Sequence, residues 1–314
     1  MSKPKIVIWG TPSLAVEIAK SMLTWTEITA IITTPDTPQG RKKLLTPSPL
    51  KEFANTHNLP VFRPNKLNTS ETIELLSELK SDIWIVIAYG KIIPQIVLDI
   101  MPNKVLNIHP SLLPQYRGPS PIQASLRNGD TKTGVSLMQI DHLMDHGPVI
   151  AQEEISIIPT DTYIELEQKI IQSSANILQK YLPQFLAEQI TAQPQDETQA
   201  SLVSMIVKQD GQINWNKYTA QDIINLYRAY ILWPQVHTYL NNGKKVIFEQ
   251  MELQVNTSNS INLKPGYWNL DSQNNRLIIG TIKGNLIINK LKIEGKNSIN
   301  AKSFANGYTK TYFI

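Results

Sequence analysis

The 314-residue chain has no cysteine. A disulfide framework and a thiolate-ligated metal are therefore excluded. No run approaches the ~18 consecutive apolar residues of a membrane span. The first ten residues, Met-Ser-Lys-Pro-Lys-Ile-Val-Ile-Trp-Gly, lack the apolar stretch of a signal peptide. A soluble, cytoplasmic protein is expected. Gly10-Thr11-Pro12 follows an apolar run but lacks the second and third glycines of a dinucleotide-binding loop. Pro12 suits the first turn of a helix instead. There is no internal repeat and no low-complexity tract. Histidine is scarce: there are five, and three of them, His109, His142 and His146, fall in or near one stretch.

What is present is unevenly placed. Hydrophobic residues make up 41% of the chain, enough to fill a core in each of two domains of ordinary size. Residues 1–206 hold 17 Lys/Arg and 20 Asp/Glu, a net of −3, whereas residues 207–314 hold 13 and 6, a net of +7. A basic second half suits a polyanionic partner, although a basic surface also serves solubility.

The apolar runs 6–9, 28–32 and 83–88 are continuous, as in strands buried on both faces. Helical patterns follow Gly10, span 48–58 and span 70–80. This alternation predicts an α/β fold whose N-terminal domain is doubly wound around a largely parallel sheet. The next strand would be Val105 to His109, which places Asn107 and His109 at its carboxyl end, where open α/β sheets bind ligands. A helix at 119–128, strands at 133–140 and 149–157, and a long helical stretch over 161–190 complete the first domain, 1–190. Residues 191–206 read as a linker, because 191–200 is polar with no apolar period. Beyond a helix near 219–230, residues 207–314 alternate short β-rich runs with turns such as Asn241-Asn242-Gly243. That pattern predicts a small OB-like β-barrel, a common nucleic-acid platform.

Asn107, His109 and, 36 residues later, Asp145 supply an amide, an imidazole and a carboxylate. Such a set can move an acyl carbon from one nitrogen to another. With no cysteine and no evident triad serine, the substrates themselves would bring the nucleophile. His109 suits proton transfer near neutral pH. An amide N–H aimed at a developing oxyanion contributes roughly 3 kcal/mol. Each residue also has a plain structural alternative: a strand-end His bonded to backbone, an Asn cap, a solvated loop carboxylate. Asp141, His142, Asp145 and His146 lie within six residues but match no recognised metal-ligand spacing. The cluster Arg41-Lys42-Lys43 sits on a Pro- and Gly-bounded loop and could meet phosphates or remain solvated.

With these residues in view, the chain resembles the methionyl-tRNA formyltransferases over nearly its whole length. The resemblance is carried by Gly10-Thr11-Pro12, Pro35 to Arg41, Val86 to Gly90, Asn107-Ile108-His109, Ser111 to Gly118, Thr133-Gly134-Val135, Gln139-Ile140-Asp141 and Asp145 with Gly147. In the second half it rests on Asp210 to Trp215 and Trp233-Pro234. It implies transfer of a formyl group from 10-formyltetrahydrofolate to the α-amino group of methionyl-initiator tRNA, with no metal. Asn107, His109 and Asp145 match the family's catalytic set. Ser111, Leu112, Leu113 and Pro114 match its folate-binding segment. The backbone of Ile87, Ala88, Tyr89 and Gly90, with the loop from Gln139 through Asp141 to Asp145, is implied to line the pterin pocket. Arg41, Lys42 and Lys43 match the loop that approaches the tRNA acceptor arm.

Three positions depart from the family pattern: Pro110 after the histidine, Gly147-Pro148-Val149 after Asp145, and Ile231-Leu232 before Trp233. The first two are shared with glycinamide-ribonucleotide formyltransferases. The rival readings are a formyltransferase acting on that ribonucleotide or on an amino sugar, a formyl-folate hydrolase, and a non-catalytic RNA-binding protein. A single domain would suffice for the ribonucleotide, so residues 207–314 argue against it. A hydrolase would leave the basic barrel unexplained, and the intact Asn, His and Asp count against the RNA-binding protein. A monomer is expected, since no exposed apolar seam stands out.

Overall fold

A computed structural model of the chain describes residues 3–39, 43–254, 263–309 and 311–314. They form two compact units. One comprises Met1–Pro121, Lys132–Ser156 and Glu167–Ser204; the other comprises Ile122–Thr131, Ile157–Leu166 and Met205–Ile314. Two short segments from the first 190 residues thus cluster with the second unit. The expected linker clusters, through Ser204, with the first.

In chain order the elements through residue 186 are β1 (Lys5–Gly10), α1 (Ser13–Met22), β2 (Glu27–Ile32), β3 (Thr37–Gln39), β4 (Leu44–Thr46), α2 (Pro49–Thr56), β5 (Val61–Phe62), α3 (Ser70–Ser77), β6 (Ile83–Ile87), α4 (Gln95–Leu98), β7 (Val105–His109), α5 (Pro121–Asn128), β8 (Lys132–Gln139), β9 (Val149–Ser156) and α6 (Tyr163–Leu186). The main sheet runs β5-β2-β1-β6-β7-β8-β9, and β3 and β4 pair separately. The strands β5, β2, β1, β6 and β7 are parallel, while β8 and β9 are antiparallel additions. The buried runs of β1 and β6 explain the parallel part: strands covered on both faces tolerate no polar alternation.

Local chemistry sets the helix starts. Ser48 caps α2 by accepting from the Lys51 N–H at 3.1 Å, with Pro49 in the first turn, and Thr69 caps α3. Strand order reverses at β1, which has β2 on one side and β6 on the other. A crevice is expected beyond the carboxyl ends at that reversal. Gly10 stands there because a Cβ would lie 2.7 Å from both the Ala15 Cβ and the Ile87 carbonyl oxygen.

The second unit adds α7 (Ala220–Ala229), β10 (His237–Tyr239), β11 (Lys245–Leu253), β12 (Trp268–Asp271), β13 (Arg276–Gly280), β14 (Asn285–Ile293), β15 (Ser298–Asn300) and α8 (Ala301–Gly307). Its sheet runs β10-β11-β14-β13-β12, with β15 on β14, and all pairings are antiparallel. The register of β11 against β14 shifts between Phe248 and Met251, an irregularity that bends a strand around a core. Trp215 stacks on Phe313 at 5.9 Å between centroids, Phe248 meets Phe313 edge-on at 5.4 Å, and the Trp215 indole N–H donates to Thr238 at 2.8 Å. This antiparallel β domain agrees with the OB-like expectation.

Candidate active site

Asn107 and His109 leave the same side of β7 at its carboxyl end. Asp145 approaches them from the loop between β8 and β9. Asn107 Nδ2 lies 3.4 Å from Asp145 Oδ1, and His109 Nδ1 lies 3.5 Å from the same oxygen. The other oxygen, Oδ2, accepts the Gly118 N–H at 2.8 Å. One carboxylate oxygen is thus fixed by backbone, while the other meets two side chains at the outer edge of hydrogen-bond reach. Loose contacts of this kind are common in ligand-free catalytic sites and shorten in the complex.

His109 is buried, and its Nε2 faces the Tyr116 carbonyl at 2.9 Å. A carbonyl only accepts, so Nε2 carries the hydrogen. In the neutral ring Nδ1 is then an acceptor, and in the imidazolium it is a donor. The ring is anchored on one nitrogen, and the other is directed at Asp145.

The turn that supplies Tyr116 and Gly118 is built from within. Leu113-Pro114 is a cis peptide, and Tyr116 and Gly118 have φ of 59° and 119°. Ser136 Oγ donates to the Ser111 carbonyl at 2.6 Å and accepts the Leu113 N–H at 3.0 Å. Gln152 donates to both the Leu113 carbonyl and Ser136 Oγ. Ser111 and Leu113 are buried, whereas Leu112 and Pro114 are half-exposed.

At the end of β6, Ala88 (φ 48°) and Gly90 (φ 80°) are both left-handed and exposed. Val86 pairs with Asn107, so Ile87 to Gly90 extend past the residue beside the candidate amide. The Tyr89 ring turns away, buried against Trp9 at 5.3 Å, while Thr11 Oγ1 donates to the Tyr89 carbonyl at 3.0 Å. Burial pushes the Tyr89 phenol up to about 12. Only the backbone of this residue is left to face a ligand.

Gln139 and Asp141 serve the loop itself. Gln139 donates to the Asn103 carbonyl at 2.9 Å. Asp141 accepts the Leu143 N–H at 2.9 Å and faces His146 Nδ1 at 2.6 Å. Gly147 is required because a Cβ there would lie 2.0 Å from the Gln139 carbonyl oxygen. Among the described residues no group of three or more His, Asp or Glu is arranged to hold a metal. Lys43, at φ 48°, is exposed just before β4. Arg41 and Lys42 lie outside the described residues.

The polar segment after α6 joins the site, a role its composition does not announce. Gln193 and Val149 exchange both backbone hydrogen bonds at 2.8 Å. Gln195 Nε2 donates to the carbonyls of Asp145 and Gly147, each at 2.8 Å. Its Oε1 accepts from Arg117 Nε at 3.0 Å and Nη2 at 2.8 Å. Glu197 takes the same guanidinium in bidentate fashion at 2.9 and 2.6 Å. That bond holds the Glu197 carboxyl below its usual range and raises Arg117 further. Ser201 bonds the Tyr116 N–H through Oγ and the Arg117 N–H through its carbonyl. Arg117 falls inside the Ser111 to Gly118 motif, so a signal for it was present, but nothing in the sequence pairs it with Gln195.

Family models match both halves of the chain: a formyl transferase domain over residues 5–182 and a formyl transferase C-terminal domain over 205–309. A methionyl-tRNA formyltransferase of Sulfurihydrogenibium sp. is 33% identical over 306 residues, covering 97% of each chain. One from Dehalococcoides mccartyi is 39% identical over 308 residues, covering 98% of this chain and 96% of its own. Among solved structures, an N-formyltransferase from Helicobacter canadensis, in complex with folinic acid and dTDP-3-aminofucose, superposes with a TM-score of 0.68 at 22% identity, covering 92% of this chain and 99% of its own. The chain belongs to the methionyl-tRNA formyltransferase family.

Proposed function

We propose that the chain transfers the formyl group of 10-formyltetrahydrofolate to the α-amino group of methionyl-initiator tRNA. The observation that carries the reading is the convergence of Asn107 and His109 on Asp145 Oδ1 at the end of β7. The folate supplies the one-carbon unit. A bond forms between the methionyl nitrogen and the formyl carbon, the bond from that carbon to N10 breaks, and the amine proton ends on N10. The Asn107 amide N–H is placed to stabilise the formyl oxygen as it gains charge. His109 joins it through Nδ1 as a donor, or takes the amine proton there as an acceptor. Asp145 orients both groups and carries the compensating charge. No nucleophile from the protein is needed.

The residues fit a folate donor in kind. The exposed backbone at Ala88 and Gly90, past the end of β6, offers polar groups to a pterin edge, and half-exposed Leu112 and Pro114 follow the end of the neighbouring β7. For the acceptor, the reading rests on the basic second half, with a net of +7 over residues 207–314, and on Arg41, Lys42 and Lys43. Residues 1–190 would carry the chemistry and 207–314 the tRNA, in a soluble cytoplasmic monomer.

The test is formylation of charged initiator tRNA with 10-formyltetrahydrofolate, run beside an amino-sugar nucleotide. Turnover on the tRNA alone is expected. Turnover on the sugar nucleotide without the tRNA would replace this reading.

A further inference from the structure

We infer that Gln195 is a positioning residue for the formyl transfer: its amide clamps the Asp145 loop into the conformation that brings the carboxylate to Asn107 and His109. The inference rests on the proposed catalytic role of Asp145.

Asp145 has a φ of 51°, a left-handed conformation that Asp tolerates but does not prefer. Contacts from outside the loop add to the loop's own bonds in holding it there. Both N–H groups of the Gln195 amide are spent on this loop, one on the Asp145 carbonyl and one on the Gly147 carbonyl, each at 2.8 Å. The two acceptors flank His146 and fix the loop on both sides of one peptide turn. The amide orientation is dictated by its surroundings. Carbonyls can only accept and a guanidinium can only donate, so the NH2 must face the loop and Oε1 must face Arg117. Arg117 is in turn buried and held bidentately by Glu197. The Gly118 N–H that holds Asp145 Oδ2 belongs to the residue after Arg117. Arg117 therefore ties together the two supports of Asp145: Gln195 on its backbone and Gly118 on its side chain. Misplacing a reacting group by about 1 Å costs on the order of 100-fold in rate, so the clamp is expected to act on turnover rather than on binding.

Two substitutions separate this role from a merely structural one. Gln195→Ala removes the whole clamp. Gln195→Glu keeps an acceptor for Arg117 and adds a charge pair, but sets a carboxylate oxygen against two carbonyls. It should hold the fold while releasing the loop. Formylation kinetics, thermal melting and a cycle with Asp145→Asn are measured on the full-length protein. Both Gln195 variants are expected to lose roughly 10- to 100-fold in kcat, with smaller changes in KM for folate and tRNA. Gln195→Glu should melt close to wild type. In the Asp145→Asn background the loss from Gln195→Ala should shrink toward none, because the clamp works through that carboxylate. Wild-type kcat in Gln195→Glu, or a full additive loss in the Asp145→Asn background, overturns the clamp alone. Wild-type kcat in Asp145→Asn removes the reading beneath it, and the clamp falls with it.

Discussion

Gly118 holds Asp145 through its backbone: the N–H donates to Oδ2 at 2.8 Å, leaving Oδ1 for Asn107 and His109. Gly118 adopts φ 119°, a conformation closed to residues with a Cβ, and a Cβ there would lie 2.2 Å from the Val203 carbonyl oxygen. Gly118→Ala must shift the backbone that aims this N–H. A loss of about 1–3 kcal/mol in stability is expected, together with a fall in kcat at temperatures where the variant stays folded. Melting curves and rates on the same preparation check both. A stable variant with normal kcat would show that Asp145 does not depend on this amide.

Asn107 is half-buried, and its Nδ2 makes one long contact, at 3.4 Å to Asp145. Asn107→Ala should therefore barely move the melting temperature. If its amide meets charge that develops only in the reaction, kcat drops about 100- to 1,000-fold while KM for the folate changes little. A rise in KM at constant kcat would assign Asn107 to ground-state binding.

Lys290 and Lys292 are exposed on one side of β14 in the second unit. If that face meets the tRNA backbone, the double variant Lys290→Ala/Lys292→Ala raises KM for tRNA. The slope of log KM against log salt should also flatten by about 0.9 for each phosphate that is no longer neutralised. Measuring KM across a salt series decides it, and an unchanged slope places the tRNA elsewhere. kcat is expected to hold.

His237 is buried in the second unit, with Nδ1 facing the Gln235 carbonyl at 3.0 Å. Burial is the main force holding its pKa below the ordinary 6.5; nearby Lys245 and Lys208 add to it, and the Gln235 carbonyl opposes it. The unfolded chain then binds a proton more readily than the folded one. Stability is fully present above about pH 6.5 and falls as the pH drops through and below that value, levelling once the folded imidazole is also charged. Hydrogen exchange of β11 and β14 amides should therefore quicken from pH 7 to 5, after correction for intrinsic exchange, and His237→Gln should flatten the trend. A trend unchanged by that variant would place the titrating group elsewhere.

The fold was legible where apolar pattern decides it. Continuous runs in β1 and β6 marked a sheet covered on both faces, and the end of β7 located Asn107 and His109. The apolar pattern of β8 and β9 does not set their direction, so their antiparallel addition needed the hydrogen-bond register. The contacts of the stretch around Gln195 were not legible, for a physical reason. It is held by amide, guanidinium and carboxylate contacts rather than by apolar burial, so a polar run without period describes a linker and a packed strap equally well. Likewise Tyr89, inside the Val86 to Gly90 motif, offers a ligand only its backbone, because its ring completes the core beside Trp9. Sequence names the residue, and packing decides which of its atoms remain available.

The most direct test of the central claim is a single-turnover measurement of formyl transfer to methionyl-initiator tRNA, with enzyme and 10-formyltetrahydrofolate in excess, comparing wild type with Asp145→Asn. Saturation removes binding from the comparison, so the rate reports the step that Asn107, His109 and Asp145 are proposed to perform. A rate lower by about 100-fold or more in the variant, with tRNA still bound, is the expected result. Equal rates would contradict the account.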